Sequence, residues 1–352
     1  MKIIGTIVEF NPLHYGHVYA INEIKKQSGA DVLVAVMSGE FTMRGELSLF
    51  DKFTKTHQAL NAGIDLVIEL SFIKTVQNGS FFAEAAVLEL AKAGVTEIWV
   101  GSEKNDPTIY EQLLKSWQEP ENQQKIQDFL QQGYSYKSAS ASVLNLDPND
   151  LLGFFYYQAI IKHHLPIVLK TIKRVGSGYH DLKVDTFASS KAIRADLNLM
   201  DACCPDFVQK ENIRKMELLF PLLKYEILNH SKEELSLLSF VEEGIENILK
   251  DICLYNDFSS FSNALVSKRY TQSRIMRMLC SILFNIKKDD VNQSRKAPTS
   301  YIRVLGYNSI GKQYLNQIKK TINIKTNLKA GIDLETDINL KVTKILDSIY
   351  QS

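Results

Sequence analysis

The chain has 352 residues, of which 45% are apolar and 23% charged, and its Lys and Arg balance its Asp and Glu to a net charge of +1. This composition is that of an ordinary globular protein, and the length suits two domains. Because there is no run of about eighteen apolar residues and Glu9 interrupts the first apolar segment, we expect neither a transmembrane helix nor a signal peptide.

The first part of the chain alternates apolar, β-branched runs with helical patterns. We predict strands at residues 2–8, 32–37, 65–70 and 97–100, and helices at 18–27, 50–61 and 81–92. This alternation predicts an α/β fold with a Rossmann-like, doubly wound parallel sheet. Ligands of such sheets bind beyond the carboxyl ends of the strands, where residues 11–17, 38–40 and 101–103 follow.

The alternation continues with less regularity and then ends. We predict a peripheral helix at 108–132, a helix at 151–163, a strand at 167–172 and a hydroxyl-capped helix start at 189–194. After Pro205 only helical patterns remain, around Phe220 and at 235–249 and 261–286. The prediction is therefore a catalytic domain at 1–204 and a mainly α-helical domain at 205–352. Cys203, Cys204, Cys253 and Cys280 match no zinc spacing and indicate buried, reduced thiols in a cytoplasmic protein.

The segment Asn11-Pro12-Leu13-His14-Tyr15-Gly16-His17 joins the first strand to the first helix. A helix start offers free N–H groups and a partial positive charge to a polyphosphate, and Gly16 allows close approach. His14 and His17 share a face of the first turn, where both imidazoles can stabilise developing phosphate charge. The two histidines alone also suit a metal half-site or a plain surface. The whole pattern resembles the phosphate-binding signature of the nucleotidyltransferase superfamily, which includes class I aminoacyl-tRNA synthetases.

Positive charge is concentrated near the C-terminus. Residues 268–329 contain fourteen Lys and Arg against two acids, Asp289 and Asp290, a net charge of +12. Such a bias favours a polyanion partner such as RNA, although charged helix faces are commonly only solvated. Tyr270, Tyr301 and Tyr307 lie among these cations and are suited to stack on bases. The candidate RNA-binding residues are Lys268, Arg269, Arg274, Arg277, Arg295, Lys296 and Arg303.

An ordered set of motifs resembles one family, the bacterial tRNA(Met) cytidine acetate ligases. Besides Glu9 and residues 11–17, the set comprises Met37-Ser38-Gly39-Glu40-Phe41, Arg44-Gly45-Glu46, Asp51-Lys52, residues 65–70, Phe81-Phe82-Ala83, Gly101-Ser102-Glu103, Asn149-Asp150-Leu151-Leu152, Gly178-Tyr179-His180, residues 189–194, Lys268-Arg269-Tyr270-Thr271 with Arg274, and residues 301–306. The chain departs from the expected pattern at Leu47 and Ser71, where proline is expected, and at Lys191, where relatives often carry threonine.

The resemblance implies a two-step ligase. Acetate attacks the α-phosphate of ATP to give acetyl-adenylate and pyrophosphate, and the amine of the wobble cytidine (position 34) of elongator tRNA(Met) then takes the acetyl group. The product is N4-acetylcytidine, and no covalent enzyme intermediate is required. Mg²⁺ suits this chemistry, although no acidic cluster in the sequence marks its ligands.

The resemblance also assigns site residues. His14 and His17 would bind the phosphates and stabilise the transition state. The wall of the ATP site would be Ile7, Val8, Glu9, Phe10, Asn11, Pro12, Leu13, His14, Tyr15, Gly16, His17, Val18, Tyr19 and Ala20. Further ATP contacts would come from Gly101, Asn149, Arg174, Ser189, Ser190 and Arg194.

Each of these further residues has a purely structural alternative. Gly101 can simply end a strand, Asn149 and the two serines can cap helices, Arg174 can be a surface cation, and Arg194 can pair with Asp196. Two alternative functions stay open as well: a small-molecule adenylyltransferase, and a non-catalytic RNA-binding protein that retains a nucleotide pocket.

Overall fold

The computed structural model of the chain describes residues 1–134, 136–174, 188–242, 244–267, 270–297 and 299–350. Seven strands form one sheet in the order β5-β4-β1-β2-β3-β6-β7. The strands are β1 (Ile3–Val8), β2 (Val32–Ser38), β3 (Leu66–Leu70), β4 (Glu97–Ser102), β5 (Val168–Lys173), β6 (Tyr301–Tyr307) and β7 (Asn323–Lys325). The first five strands are parallel, β6 is antiparallel to β3, and β7 is parallel to β6.

Helices connect these strands. In the first part of the chain they are α1 (Tyr15–Ser28), α2 (Lys52–Asn61), α3 (Phe72–Thr75), α4 (Gly79–Lys92), α5 (Ile109–Gln118), α6 (Pro120–Gln131), α7 (Tyr136–Leu144), α8 (Pro148–Lys162), α9 (Ser190–Ala195) and α10 (Met200–Cys203). The C-terminal part adds α11 (Phe220–Asn229), α12 (Lys232–Ser236), α13 (Ile245–Leu249), α14 (Phe258–Ala264), α15 (Gln272–Leu283), α16 (Lys288–Lys296), α17 (Ser309–Ile318) and α18 (Leu334–Tyr350).

The two faces of the sheet are buried under different helices, because successive side chains of a strand point to opposite sides. Val34 and Val36 of β2 pack into a core completed by α4, α5, α8 and α17. Leu33, Ala35 and Met37 of the same strand pack into a core completed by α1, α2, α9 and α10. Every residue of β2 is buried, as expected for the centre of a parallel sheet. The predicted Rossmann-like, doubly wound α/β fold is thus confirmed.

The C-terminal part forms a third core but does not stand apart from the sheet. Helices α11 to α16 and α18 bury apolar residues around Leu279 and Val342, and Phe41 and Phe72 from the first part of the chain pack among them. Strand β6 then returns to the sheet beside β3. The division at residue 205 stays a prediction, and the packing across that position is extensive.

Several predicted helices are interrupted. The segment 108–132 forms two helices because Pro120 begins a new one at its first turn. The segment 235–249 is interrupted between α12, which ends at Ser236, and α13, which begins after Gly244 with its φ of +83°. The segment 261–286 is interrupted between α14 and α15. The prediction of buried cysteines is wrong for Cys253, which is exposed, whereas Cys203, Cys204 and Cys280 are buried. In the described part of the chain, no helix is both long and apolar enough to cross a bilayer.

Candidate active site

Residues 11–17, which we call the histidine turn, lie directly beyond the carboxyl end of β1, the strand between β4 and β2. His14 is the N-cap of α1, and its Nδ1 accepts a hydrogen bond from the Gly16 N–H at 3.1 Å. His17 Nδ1 accepts one from the His14 N–H at 3.3 Å, which completes a reciprocal capping box. The two rings stack with centroids 3.8 Å apart, and the Phe10 ring packs edge-on against His17 at 5.0 Å. The sequence prediction that these imidazoles share one face is confirmed.

These hydrogen bonds fix the tautomer of both rings. Because each Nδ1 accepts a backbone hydrogen bond, the proton of each neutral ring is on Nε2. Burial, followed by the nearby Arg174 cation, lowers the pKa of His14 to about 4. Burial, then His14 and then Arg174, holds the pKa of His17 well below its ordinary value. At neutral pH the turn therefore carries two uncharged Nε2–H donors at the N-terminus of α1.

The other residues of the predicted ATP-site wall fall into a buried group and a partly exposed group. Phe10, Asn11, Pro12 and Leu13 are buried, and the Asn11 Oδ1 accepts a hydrogen bond from the Leu49 N–H at 2.8 Å. Ile7, Val8, Glu9 and the α1 residues Tyr15, Gly16, Val18, Tyr19 and Ala20 are partly exposed. The first group thus holds the shape of the turn, whereas the second group lies at its surface.

A second group of predicted residues meets on the β4–β5 side of the turn. Arg174, directly after β5, lies over Gly101 of β4, where a Cβ atom would come within 3.1 Å of the arginine Cγ. The Arg174 Nε is 3.4 Å from Glu103 Oε1, which also accepts a hydrogen bond from Asn149 Nδ2 at 2.5 Å. Asn149 therefore joins this group instead of capping α8. Glu103, which links the two, received no role from the sequence.

The start of α9 is fixed to the same turn. Ser189 caps the helix through the Ala192 N–H, and Ser190 Oγ donates to the Pro12 carbonyl at 3.2 Å. Arg194 Nη1 donates to the Asn11 carbonyl at 2.7 Å, and its Nη2 pairs with Glu46 at 2.6 Å. The alternative pairing of Arg194 with Asp196 is wrong, and Glu46 is the partner that sequence reasoning missed. Residues 175–187, which include Gly178-Tyr179-His180, lie outside the described residues.

On the β2 side of the turn, Glu9 contacts a loop of residues 41–47, which we call the bridging loop. Phe41 and Leu47 pair across it, and Gly45 closes a turn at its tip with φ of +77°. The Met43 N–H donates to Glu9 Oε1 at 2.5 Å. Burial raises the pKa of Glu9 above its ordinary value, against the opposing effects of the Met43 hydrogen bond and of Arg44. No sequence signal announced this contact, because it joins residues 34 positions apart.

The predicted strand-end segment 38–40 forms a buried ionic network. Glu40 pairs with Arg214 at 2.5 Å, and Lys52 pairs with Glu69 at 3.0 Å. Lys55 donates to the Ser38 and Gly39 carbonyls, and burial lowers its pKa to about 8. The cavity against this network has a volume of only about 10 Å³, about the room for one water molecule. This segment therefore braces the sheet edge and offers no space for a nucleotide.

The predicted RNA-binding residues differ in their exposure. Arg295, over the Phe81 ring at 4.3 Å, and Lys296 are exposed at the end of α16. Arg274 is partly exposed and pairs with Glu242 at 2.8 Å.

Two further members of the predicted set are largely covered. Arg277 lies against Phe240 and the Met43 carbonyl, and burial lowers its pKa to about 10. Arg303 lies in β6 beside Glu69, at 3.7 Å, with only 11% of its side chain exposed. Lys268 and Arg269 lie outside the described residues. Among the described members of the predicted set, Arg295 and Lys296 are thus exposed, Arg274 is partly exposed, and Arg277 and Arg303 are largely covered.

Among the described residues, no group of three or more His, Cys, Asp and Glu side chains could hold a metal ion. Because Mg²⁺ at phosphoryl-transfer sites is commonly held by one or two carboxylates together with substrate phosphates, its participation stays a prediction from the chemistry alone.

Comparison with known proteins covers the whole chain. A family model described as HIGH Nucleotidyl Transferase matches residues 1–352. The chain is 39% identical over 382 residues to the tRNA(Met) cytidine acetate ligase of Geobacillus sp., a match that covers 100% of this chain and 92% of that protein. Proteins of the same name from Leuconostoc citreum and Staphylococcus aureus are each 37% identical, with 92% and 91% of this chain and 86% and 87% of theirs covered.

The chain is also similar over its whole length to solved structures. The fold is similar to the crystal structure of Thermotoga maritima TmcAL bound with alpha-thio ATP, with a TM-score of 0.88 and 27% identity, covering 100% of this chain and 95% of that one. The apo form of that protein gives a TM-score of 0.87 with 28% identity, and the match covers 100% and 96% of the two chains. The similarity thus extends over the sheet, the histidine turn and the C-terminal helices together.

Proposed function

Since the chain belongs to the HIGH nucleotidyl transferases and, within them, to the tRNA(Met) cytidine acetate ligase family, we propose that it uses ATP to ligate acetate to a cytidine of tRNA(Met). The acceptor is the wobble cytidine, position 34, of the elongator tRNA, and the product is N4-acetylcytidine. The observation that carries the proposal is the stacked pair of Nε2–H donors at the N-terminus of α1.

In the first step an acetate oxygen attacks the α-phosphorus of ATP, and the bond to pyrophosphate breaks. Such a displacement depends mainly on positioning and on stabilising charge on the phosphate oxygens. The Nε2–H groups of His14 and His17 donate to those oxygens, and the positive end of α1 adds to the attraction. Because each Nδ1 already accepts a backbone hydrogen bond, protonation there would break the cap, so both rings donate to the phosphate in their neutral form.

The β4–β5 side of the turn suits the nucleoside. Gly101 has no side chain, so Arg174 can lie close over the sheet edge there, and Asn149 presents an amide. Arg174 is half-exposed and its contact with Glu103 is long, at 3.4 Å, so the arginine can exchange that contact for a phosphate oxygen at little cost. Ser190 and Arg194 act indirectly, because they hold the Asn11–Pro12 carbonyls and so the position of the turn.

The acceptor is RNA, and exposed cations supply a surface for it. Arg295 and Lys296 are exposed and Arg274 is partly exposed, and we keep Lys268 and Arg269 in the candidate RNA-binding set on the sequence alone. Arg295 stacks on Phe81 at the first turn of α4, which joins the cationic surface to the carboxyl edge of the sheet. We assign the protein to the cytoplasm because its acceptor is a tRNA.

One assay separates this function from its rivals: purified protein with ATP, labelled acetate and bulk tRNA. Label in tRNA, recovered as N4-acetylcytidine, is the expected result. Pyrophosphate exchange that depends on another small acceptor would instead identify a small-molecule adenylyltransferase. Retention of tRNA without any ATP turnover would identify a non-catalytic RNA-binding protein.

A further inference from the structure

Glu9 is the charged side chain nearest in sequence to the histidine turn; the resemblance places it in the wall of the ATP site, and the steps described above use neither of its carboxylate oxygens. It is the first residue beyond β1, and its neighbour Phe10 packs on His17. One carboxylate oxygen, Oε1, accepts the Met43 N–H at 2.5 Å. Among the described residues the other oxygen, Oε2, accepts no hydrogen bond, and it is not enclosed, because the side chain is partly exposed.

The sheet order places Glu9 on the side of the turn away from the nucleoside. Gly101 lies in β4, Asn149 in α8 and Arg174 directly after β5, whereas Glu9 faces the bridging loop that follows β2. With its nucleoside over β4 and its phosphate at the histidine turn after β1, an acyl-adenylate extends along the sheet edge toward β2. The exposed Arg44 at the tip of the bridging loop and Arg277 beneath Met43 are on that same side, where a polyanion would approach.

We propose that the Glu9 carboxylate is a catalytic residue of the second step, in which it accepts a hydrogen bond and then a proton from the exocyclic amine of the acceptor cytidine. The inference rests on the proposed function and adds a group that acts on the acceptor. The amine nitrogen attacks the acetyl carbon, the bond from that carbon to the AMP oxygen breaks, and AMP leaves with the electron pair. The nitrogen gives up one proton, which passes to Glu9 Oε2 and later to solvent.

The surroundings of Glu9 suit this role. A general base works best when its pKa lies closer to the working pH than that of an ordinary carboxyl group, and burial raises the pKa of Glu9. The charged groups facing it are Arg44 and Glu46 of the bridging loop and Lys55 of α2. The titratable Tyr156 of α8 also faces it, and burial, followed by the Glu9 charge, raises the pKa of the Tyr156 hydroxyl well above its ordinary value. The Met43 hydrogen bond leaves Oε2 as the oxygen available to the acceptor.

The test is Glu9→Gln, measured in each half-reaction separately. The glutamine oxygen still accepts the Met43 N–H, so the bridging loop keeps its anchor while the base is lost. Acetate-dependent ATP–pyrophosphate exchange should stay within about twofold of wild type, and single-turnover transfer of labelled acetate to bulk tRNA should fall about 100-fold or more. The wild-type transfer rate should fall as pH falls through the pKa of Glu9, and this limb should be absent from E9Q. Glu23→Gln, on the outer side of α1, is the matched control and should change neither half-reaction.

Three results would overturn the inference. The first is transfer by E9Q at the wild-type rate, which would mean that no base acts there. The second is an equal loss of exchange and transfer, which would place Glu9 in adenylate formation. The third is wild-type protein without acetate-dependent exchange, in which case the proposed function itself fails. Retained exchange by E9Q also shows that the variant is folded.

Discussion

The histidine turn shows how two side chains can organise each other. Each Nδ1 is occupied by a backbone N–H, so neither ring can rotate or change tautomer without leaving a helix-start donor unpaired. The stacked rings therefore present two donors in fixed positions before any ligand arrives. This preorganisation is what charge stabilisation in a transition state requires.

The sequence identified much of this site but not its connections. His14, His17, Gly101, Asn149 and Arg174 are brought together as expected, because strand-end positions of a parallel sheet meet at one edge. Glu103, Glu46 and Met43 were not assigned, although Glu103 directly follows Gly101-Ser102. Their partners lie 46, 148 and 34 positions away, and no local pattern specifies such a pairing.

Replacing His17 with alanine should separate the two activities of the protein. Loss of one of the two Nε2–H donors should lower acetate-dependent ATP–pyrophosphate exchange by about 10³-fold. Binding of tRNA, measured by filter retention, should stay near normal, because the exposed cations are on other elements. Equal loss of exchange and of tRNA binding would contradict this division.

Stability should depend on pH through the same histidines. The folded-state pKa of His14 is about 4, below the unfolded value of 6.5, so the unfolded chain binds more protons between these values. The free energy of unfolding should therefore fall as pH falls from 6.5 to 4, by at most about 1.4 kcal/mol per pH unit for each histidine. Denaturant titrations across this range test the expectation. His14→Asn should show a shallower dependence, and an unchanged slope would refute the assignment.

Gly101 should matter for ATP affinity more than for folding. In Gly101→Ala the new Cβ would lie 3.1 Å from Arg174 Cγ, so the arginine must move from its place beside the turn. We expect the KM for ATP to rise about tenfold, equivalent to ~1.4 kcal/mol, with little change in melting temperature. Gly79→Ala is the control, because its Cβ meets Phe155 at an ordinary 3.6 Å. A KM equal to that of wild type would show that Arg174 does not contact ATP.

Among the strands, the sequence predicted those that belong to a local strand–helix alternation and missed β6, which joins the sheet from a distant part of the chain. Strands β1 to β5 were found because each is a short apolar run followed or preceded by a helical pattern. Strand β6 was not, although residues 301–306 were noted as a motif. It pairs antiparallel with β3 from more than 200 positions away, and its burial does not alternate cleanly and includes the charged Arg303. A strand with this irregular burial and a covered cation carries little periodic signal.

The bridging loop depends on a glycine that contacts α15. A Cβ at Gly45 would lie 2.6 Å from the backbone of Met276 and Arg277, and its φ is +77°. Gly45→Ala should therefore lower the free energy of unfolding by about 3 kcal/mol or more, through strain and overpacking together. Gly29→Ala is the matched control: its φ is +62° with nothing near, so only about 1 kcal/mol should be lost. Equal losses of unfolding free energy for the two variants in urea titrations would show that the close contact with α15 does not affect stability.

Across the whole molecule, the charge of this nearly neutral chain is unevenly distributed along the sequence. Residues 268–329 carry a net +12, so the rest of the chain carries −11. Part of that positive charge lies beside the carboxyl edge of the sheet, where Arg277 of α15 contacts the bridging loop and Arg295 of α16 lies over Phe81 of α4. Under the proposed function, the polyanion and the nucleotide would approach this one face.

Binding of tRNA should weaken steeply with salt, because bound cations release counterions from the phosphates. Arg295→Ala combined with Lys296→Ala should lower the slope of log K against log salt by about 2, one for each phosphate contact. Lys115→Ala on α5, whose side chain is 73% exposed and paired with Glu111, should leave the slope unchanged. A wild-type slope for the double variant would show that RNA binds at another surface of the protein.

The most direct measurement is a crystal structure of this protein soaked with a non-hydrolysable ATP mimic. The account predicts phosphate oxygens within about 3 Å of Nε2 of both His14 and His17, with the nucleoside over Gly101. A triphosphate bound away from that turn, with both Nε2–H groups left to solvent, would contradict it.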